Sequence, residues 1–335
     1  MSSAQAFKTI ADVLSSTIIF AVPLMLVALG AMFSERSGVV NIALEGIMVI
    51  GALFSCLFLS MSNTQGWGSV HPQLTMLLAI LVAGGAGVIF SLFLAFASIN
   101  LKADQIIGGT ALNTFAPAFS IVLSWAIQGQ GQTQIAIPTW IRISGLKIDS
   151  VNSLGNFLEW VFLKNLYLTT LLAVVILIVG IIVLRKTRFG LRLMACGEHP
   201  QAADSVGINV YRRRYAGVAI SGVLGGIGGL AYTIAVGSNF ASSVYGYGFL
   251  ALAVLIFGNW TPVRITLAAL FFAFFKVAGT VAGSGTIPFL ALPIKQASQL
   301  YNILPYLVTI ILLIFTSKRS RAPKAEGIPY DKGSR

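Results

Sequence analysis

Residues that could do chemistry are scarce in this chain. The densest group lies in "FSERSGVVNIALEGIM", residues 33–48, where Ser34, Glu35, Arg36, Asn41 and Glu45 sit between two strongly apolar runs. Asn41 and Glu45 are four residues apart and would share one face of a short helix. A carboxylate left without a partner in hydrocarbon is costly, so Glu45 must face the protein interior, a cavity or water. Two arrangements meet that demand: a broken helix bordering a pathway at membrane depth, or a capped turn at the membrane surface. The depth of Glu45 decides between them.

The remaining reactive groups do not assemble into a catalyst. Cys56 and Cys196 are too few for a disulfide framework, form no CxxC pair, and read as reduced thiols without a chemical role. His71 and His199 supply no HExxH, and the chain has neither a GxxxxGK[ST] loop for nucleotide phosphates nor a GxSxG elbow. Titratable groups are also too sparse in the apolar runs to form a proton relay. The chain therefore reads as non-catalytic, with no cofactor and no metal of its own.

The elements that must hold these groups are membrane helices. Of 335 residues, 56% are hydrophobic and 10% charged, which excludes an ordinary soluble protein. About 20 apolar helical residues cross a hydrocarbon core of roughly 30 Å. Runs of that kind fall near residues 13–34, 42–61, 73–99, 105–128, 165–184, 215–237, 244–259, 265–283 and 298–317. The fold class is therefore all-α, a polytopic membrane protein with about nine spans, eight to ten being compatible with the pattern. No small-residue cleavage site follows the first run, which reads as a retained span.

The net charge of +12 matters less than where it lies. Arg185, Lys186, Arg188, Arg192, Arg212, Arg213 and Arg214 crowd one loop, and the tail from Lys318 onward is also basic. No basic face interleaved with aromatics suggests nucleic acid. Basic residues beside spans mark the cytoplasmic side, which places both loop and tail there, and the four runs between them agree. The same walk backward puts residues 129–165 and the N-terminus outside, unless one run is broken or re-entrant. Within residues 215–237, Gly222 and Gly226, and Gly225 and Gly229, have the four-residue spacing that lets membrane helices approach closely.

The loop "RKTRFGLRLMACGEHPQAADSVGINVYRRRYAG", residues 185–217, is too polar for lipid and too short to fold alone. Pro200 suits the first turn of a short helix and Gly207 its stop. On pattern alone it is either a partner-contacting helix or a solvated connector.

"GLRLMACGEHPQAADSVGINVYRRR" resembles the coupling segment of ABC-importer permeases in the group that includes the ribose and branched-chain amino-acid permeases. "SERSGVVNIALEGIMVIGA" resembles the signature after the first span of the nucleoside and simple-sugar permeases, and "FGNWTP", Phe257 to Pro262, extends the resemblance over nearly the whole chain. Cys196 and His199 depart from the more usual Val and Asn. The resemblance implies a type II-like ABC importer permease fold: one transmembrane permease domain over 1–335, a coupling loop at 185–214 and a basic cytoplasmic tail at 318–335. It further implies half of a nucleoside pathway in a bacterial cytoplasmic (inner) membrane. Simple sugars or branched-chain amino acids are the alternative cargo, and a stand-alone carrier or channel is the rival of another class. The implied partners are an ABC ATPase subunit that binds the ATP, a second homologous permease, and an extracytoplasmic binding lipoprotein of the basic-membrane-protein type.

Gly197, Glu198, Ala202, Ala203, Gly207 and Ile208 are then the candidates for the ATPase contact. Ala203→Trp is expected to uncouple transport without preventing insertion. Candidates for the substrate pathway, by polarity or aromaticity at apolar runs, are Asn41, Glu45, Asn113, Phe115, Tyr245 and Tyr247. Helix contacts and interfacial aromatic belts are the plainer readings of these positions.

Overall fold

The computed structural model describes residues 3–143, 157, 159–163, 166–237, 239–284, 299, 300, 303, 304, 307, 310, 311 and 321–332. The helices are α1 (Ser3–Arg36), α2 (Leu44–Thr64), α3 (Trp67–Val70), α4 (Pro72–Ala95), α5 (Gln105–Gln128), α6 (Leu168–Lys186), α7 (Arg188–Glu198), α8 (Pro200–Ser205), α9 (Val210–Val236), α10 (Tyr247–Phe257) and α11 (Pro262–Ser284). Seven of them are long and apolar enough to cross a membrane, and α10 is apolar but short. The chain is thus a polytopic all-helical membrane protein. Most of the run at 298–317 lies outside the described residues.

Helix α9 is the central post, packed against α1, α2 and α4. Its glycines make that possible, because a Cβ on Gly226 would stand 2.1 Å from the Ala83 carbonyl oxygen and one on Gly229 1.9 Å from that of Met48. Both obstacles are backbone, which cannot swing aside, so the glycine spacing serves close packing. Gly229→Val is therefore expected to abolish the monodisperse, detergent-solubilised protein in size-exclusion chromatography. Gly85→Ala, whose added methyl meets nothing within 4 Å, should elute as the parent protein does.

Two stretches interrupt the helical regularity. After α1 the chain turns at Gly38, whose φ is +96°, and runs irregularly to Ala43. Its polar backbone is satisfied by neighbours: the Val40 N–H donates to Gln105 Oε1 at 2.7 Å, and Asn113 Nδ2 donates to the Ile42 carbonyl at 2.7 Å. Asn41 Nδ2 donates to Ser221 Oγ at 2.8 Å. Ser221 is seven residues beyond Arg214 on α9, about 10 Å along the axis at a rise of roughly 1.5 Å per residue. Residues 37–43 therefore climb into the bundle before α2 begins, and α2 passes close over Gly225 and Gly229. Irregular backbone is tolerated at such depth only where protein or a cavity surrounds it.

The second interruption follows α9. Gly237, at φ +64°, ends the helix, and Phe240 forms an antiparallel bridge with Ile135 of the 129–143 segment. The chain then runs irregularly to Gly246 before the 11 residues of α10. Helix α10 starts against Glu45 and ends near Trp260, whose indole Nε1 donates to Glu35 Oε2 at 2.6 Å. An irregular segment and a half-length helix together complete this crossing. The run at 244–259, counted among the nine apolar segments, holds one uninterrupted helix that is shorter than a full span.

Candidate functional site

The basic end of the bundle carries a folded loop. Thr187 Oγ1 accepts from the Gly190 N–H at 3.2 Å and starts α7. Gly190 lies so near the end of α6 that its Cβ would be 2.2 Å from the Val183 oxygen. Pro200 opens α8, Gly207 at φ +81° closes it, and Asn209 Oδ1 caps α9 by accepting from the Arg212 N–H at 2.9 Å. The helix expected between Pro200 and Gly207 is present.

Its side chains divide between two faces. Ala203 is 4% exposed and packs with Cys196, Val210 and Tyr330. Gly197 is pressed against the end of α1, where a Cβ would lie 2.4 Å from the Arg36 oxygen, and Glu198 stands 3.8 Å from Arg36 Nη1. Ala202 and Gly207 face outward and Ile208 is half-buried. Val206, 73% exposed, completes the outward face. It was missed as a candidate, although its spacing of four from Ala202 was legible.

Residues 321–332 lie across this end of the bundle as a strap. The Ala325 N–H donates to the Gly197 carbonyl at 2.8 Å and the Gly327 N–H to that of Gly38 at 3.3 Å. Arg214 Nη1 donates to the Ile328 carbonyl at 2.9 Å, the Arg321 N–H to Asn259 Oδ1 at 2.7 Å, and Lys102 Nζ pairs with Asp331 at 2.8 Å. Tyr330 is buried edge-on to Tyr211 with ring centroids 5.5 Å apart. One peptide segment thus touches the α7–α8 loop, the α1–α2 break and the turn after α10.

Glu326 on the strap hydrogen-bonds the Glu35 carboxyl, with Arg36 beside it. Burial pushes the Glu326 carboxyl above its ordinary value of 4.5, against the lowering effects of the Glu35 bond and the Arg36 charge. The docked strap therefore holds this proton more tightly than the free strap does. Docking is strongest below 4.5 and weakens as pH rises through the raised value. Protection of the strap from carboxypeptidase should fall across that range, and Glu326→Gln should flatten the dependence.

Deeper in the bundle, Glu45 caps α10. Its Oε1 accepts from the Gly246 N–H and its Oε2 from the Gly248 N–H, both at 2.7 Å. The carboxylate thus satisfies free amides and complements the positive end of the helix dipole. Gly248 is required there, because a Cβ would sit 2.4 Å from the Glu45 nitrogen. Asn113 spans the α2 start, accepting from the Gly46 N–H at 2.8 Å while donating to Ile42. Gly46 lies inside α2, and the register breaks at Gly38, whose φ is positive.

Asn41, Glu45 and Asn113 are thereby brought together as braces of the broken segment. Tyr247 is buried beside them, its ring 4.4 Å from that of Tyr232. Tyr245, 69% exposed, lines a cavity of about 210 Å³ at the end away from the basic loop. Phe115 is not part of that cavity and stacks with Phe119 along α5 and with Phe90 on α4. A second cavity, of about 680 Å³, opens at the basic end between Val40, Ile42, Gln105 and the strap.

Comparison with known proteins settles the class of this arrangement. The family model described as the permease component of branched-chain amino acid transport systems matches residues 13–316. The chain belongs to that permease family. The permease is 42% identical over 328 residues to the guanosine ABC transporter permease protein NupQ of Bacillus subtilis, covering 96% of this chain and 97% of that one. It is 40% identical over 334 residues to the nucleoside ABC transporter permease protein NupC of Lactococcus lactis, covering 97% and 98%. It is 24% identical over 321 residues to NupB, a nucleoside ABC transporter permease protein of the same strain, covering 93% and 84%. No solved structure matches it. The permease is a non-catalytic subunit of an ABC transporter.

Proposed function

We propose that this permease forms half of a nucleoside import pathway across the bacterial inner membrane, with its basic end and strap in the cytoplasm. The observation that carries the cargo reading is identity at 40% and above, over nearly the whole chain, to permeases named for guanosine and nucleosides. The side follows from the arginines of residues 185–214, which the positive-inside rule keeps in the cytoplasm. ATP is bound by a separate ATPase subunit. NupB and NupC, two nucleoside permeases of one strain, support a second, different permease as the partner across the pathway. An extracytoplasmic binding lipoprotein of the basic-membrane-protein type delivers the cargo.

In this reading the outward face of α8, Ala202 and Val206 with Gly207 beside them, enters a groove on the ATPase. The inward face, Ala203 of α8 with Gly197 at the end of α7, passes the movement to α1 and the strap. Glu198 steers the approach from the edge and Ile208 seals the turn. Titration of the cognate binding lipoprotein with guanosine, ribose and leucine tests the cargo. Saturable guanosine binding is expected. Binding of ribose or leucine with no competing nucleoside would overturn the assignment.

A further inference from the structure

The cavity at the end opposite the basic loop is lined by Tyr232, Phe240 and Tyr245, by Gln134, Asn239, Thr233 and Ser243, and by Val236 and Ala241. It joins the outer end of α9, the irregular strand before α10 and the 129–143 segment. None of these side chains is charged, and from Tyr215 to Val263 the chain holds no Asp, Glu, Lys or Arg at all. Beneath it lies the start of α10, reached through the tilted ring pair of Tyr232 and Tyr247. In transporters built on discontinuous helices, a half-helix N-terminus is where a substrate carboxylate binds. Here that position is already filled by Glu45, whose two oxygens each accept an amide hydrogen at 2.7 Å.

We propose that this cavity is a half-site for an uncharged nucleoside, with Tyr245 stacking on the base and the Asn239–Gln134 pair reading its polar edge. The inference rests on the nucleoside reading and deepens it. Asn239 Nδ2 already donates to Gln134 Oε1, at 3.4 Å, which leaves the Asn239 carbonyl and the Gln134 amine to meet a base. Glu45 turns carboxylates away because it occupies the donors they need. With no cation in the lining, a nucleotide phosphate finds no partner either. The site therefore selects against amino acids and nucleotides by chemistry rather than by size.

A complete site for a small ligand encloses about 300 to 1,000 Å³, and this cavity of about 210 Å³ is smaller and open on the side of Tyr245. A second permease facing that side would supply the remainder. The half-site thus belongs on the axis between subunits, above the broken helix.

The assembled complex of both permeases, ATPase and binding lipoprotein can be photolabelled with 8-azidoguanosine and the labelled peptide mapped. Label on residues 232–245 of this chain, competed by guanosine and spared by GMP and leucine, is the expected result. Tyr245→Ala removes the ring on which the base stacks and should cut labelling and uptake by roughly tenfold. Tyr245→Trp should restore both. Label confined to other peptides, or an unmoved Tyr245→Ala, in a complex that takes up guanosine normally overturns this inference alone. A wild-type complex that takes up no nucleoside sinks the functional reading and this site with it.

Discussion

Glu45→Ala is expected to stop transport and to lower the thermal stability of the permease in detergent. The substitution strands the Gly246 and Gly248 amides inside the bundle. A buried polar group left without its partner costs about 1–3 kcal/mol, and here two are left at once, together with the loss of a favourable charge at a helix N-terminus. Helix α10 is only 11 residues long and cannot hold its place by length. Its start then detaches from α2, and the broken crossing loses its fixed geometry. Glu45→Gln retains one acceptor and should fall between the two. Fluorescence-detected size exclusion after heating, with uptake on the same preparations, checks both effects. A fully stable, fully active Glu45→Ala protein would mean that the carboxylate is not structural.

Truncation before residue 321 is expected to leave the complex assembled but to uncouple ATP hydrolysis from uptake. Removing a buried aromatic costs about 3–5 kcal/mol, so Tyr330→Ala alone should release the strap and reproduce much of the effect. Uptake per ATP should fall by roughly tenfold or more, because the hydrogen-bonded link through Ala325 and Gly327 is then gone and only the direct packing of Gly197 on the end of α1 is left. Ala203→Trp is expected to uncouple transport as well, because the larger side chain would expel Tyr330 from its seat beside Ala203. Parallel measurement of ATPase rate and uptake in proteoliposomes distinguishes loss of coupling from loss of assembly.

The spans were legible because apolar runs of sufficient length have only one stable use in this chain. The short helix α8 was legible for a local reason too, since Pro200 and Gly207 mark its two ends. The long-range pairings were not. Glu45 meets Gly246 and Gly248, some 200 positions later, and nothing in either segment announces the other. Residues 238–243 separate the apolar runs at 215–237 and 244–259, but nothing in their types shows that the irregular stretch runs on to Gly246, which depends on Gly237 and Gly246 taking positive φ. The tail was legible only as a run of basic charge, yet its anchors are hydrogen bonds to its backbone, the Lys102–Asp331 pair and one buried tyrosine, which composition does not display. Inward and outward faces of α8 could not be told apart in a helix of six residues.

The central claim, a nucleoside path driven by an ATPase through this loop, is tested most directly by tritiated guanosine uptake into proteoliposomes holding the assembled complex, with and without ATP. ATP-dependent accumulation above the external concentration, abolished by Val206→Glu on the outward face of α8, is the predicted result. Guanosine entry that proceeds equally without ATP, or ATP-driven accumulation that Val206→Glu leaves untouched, would contradict the account.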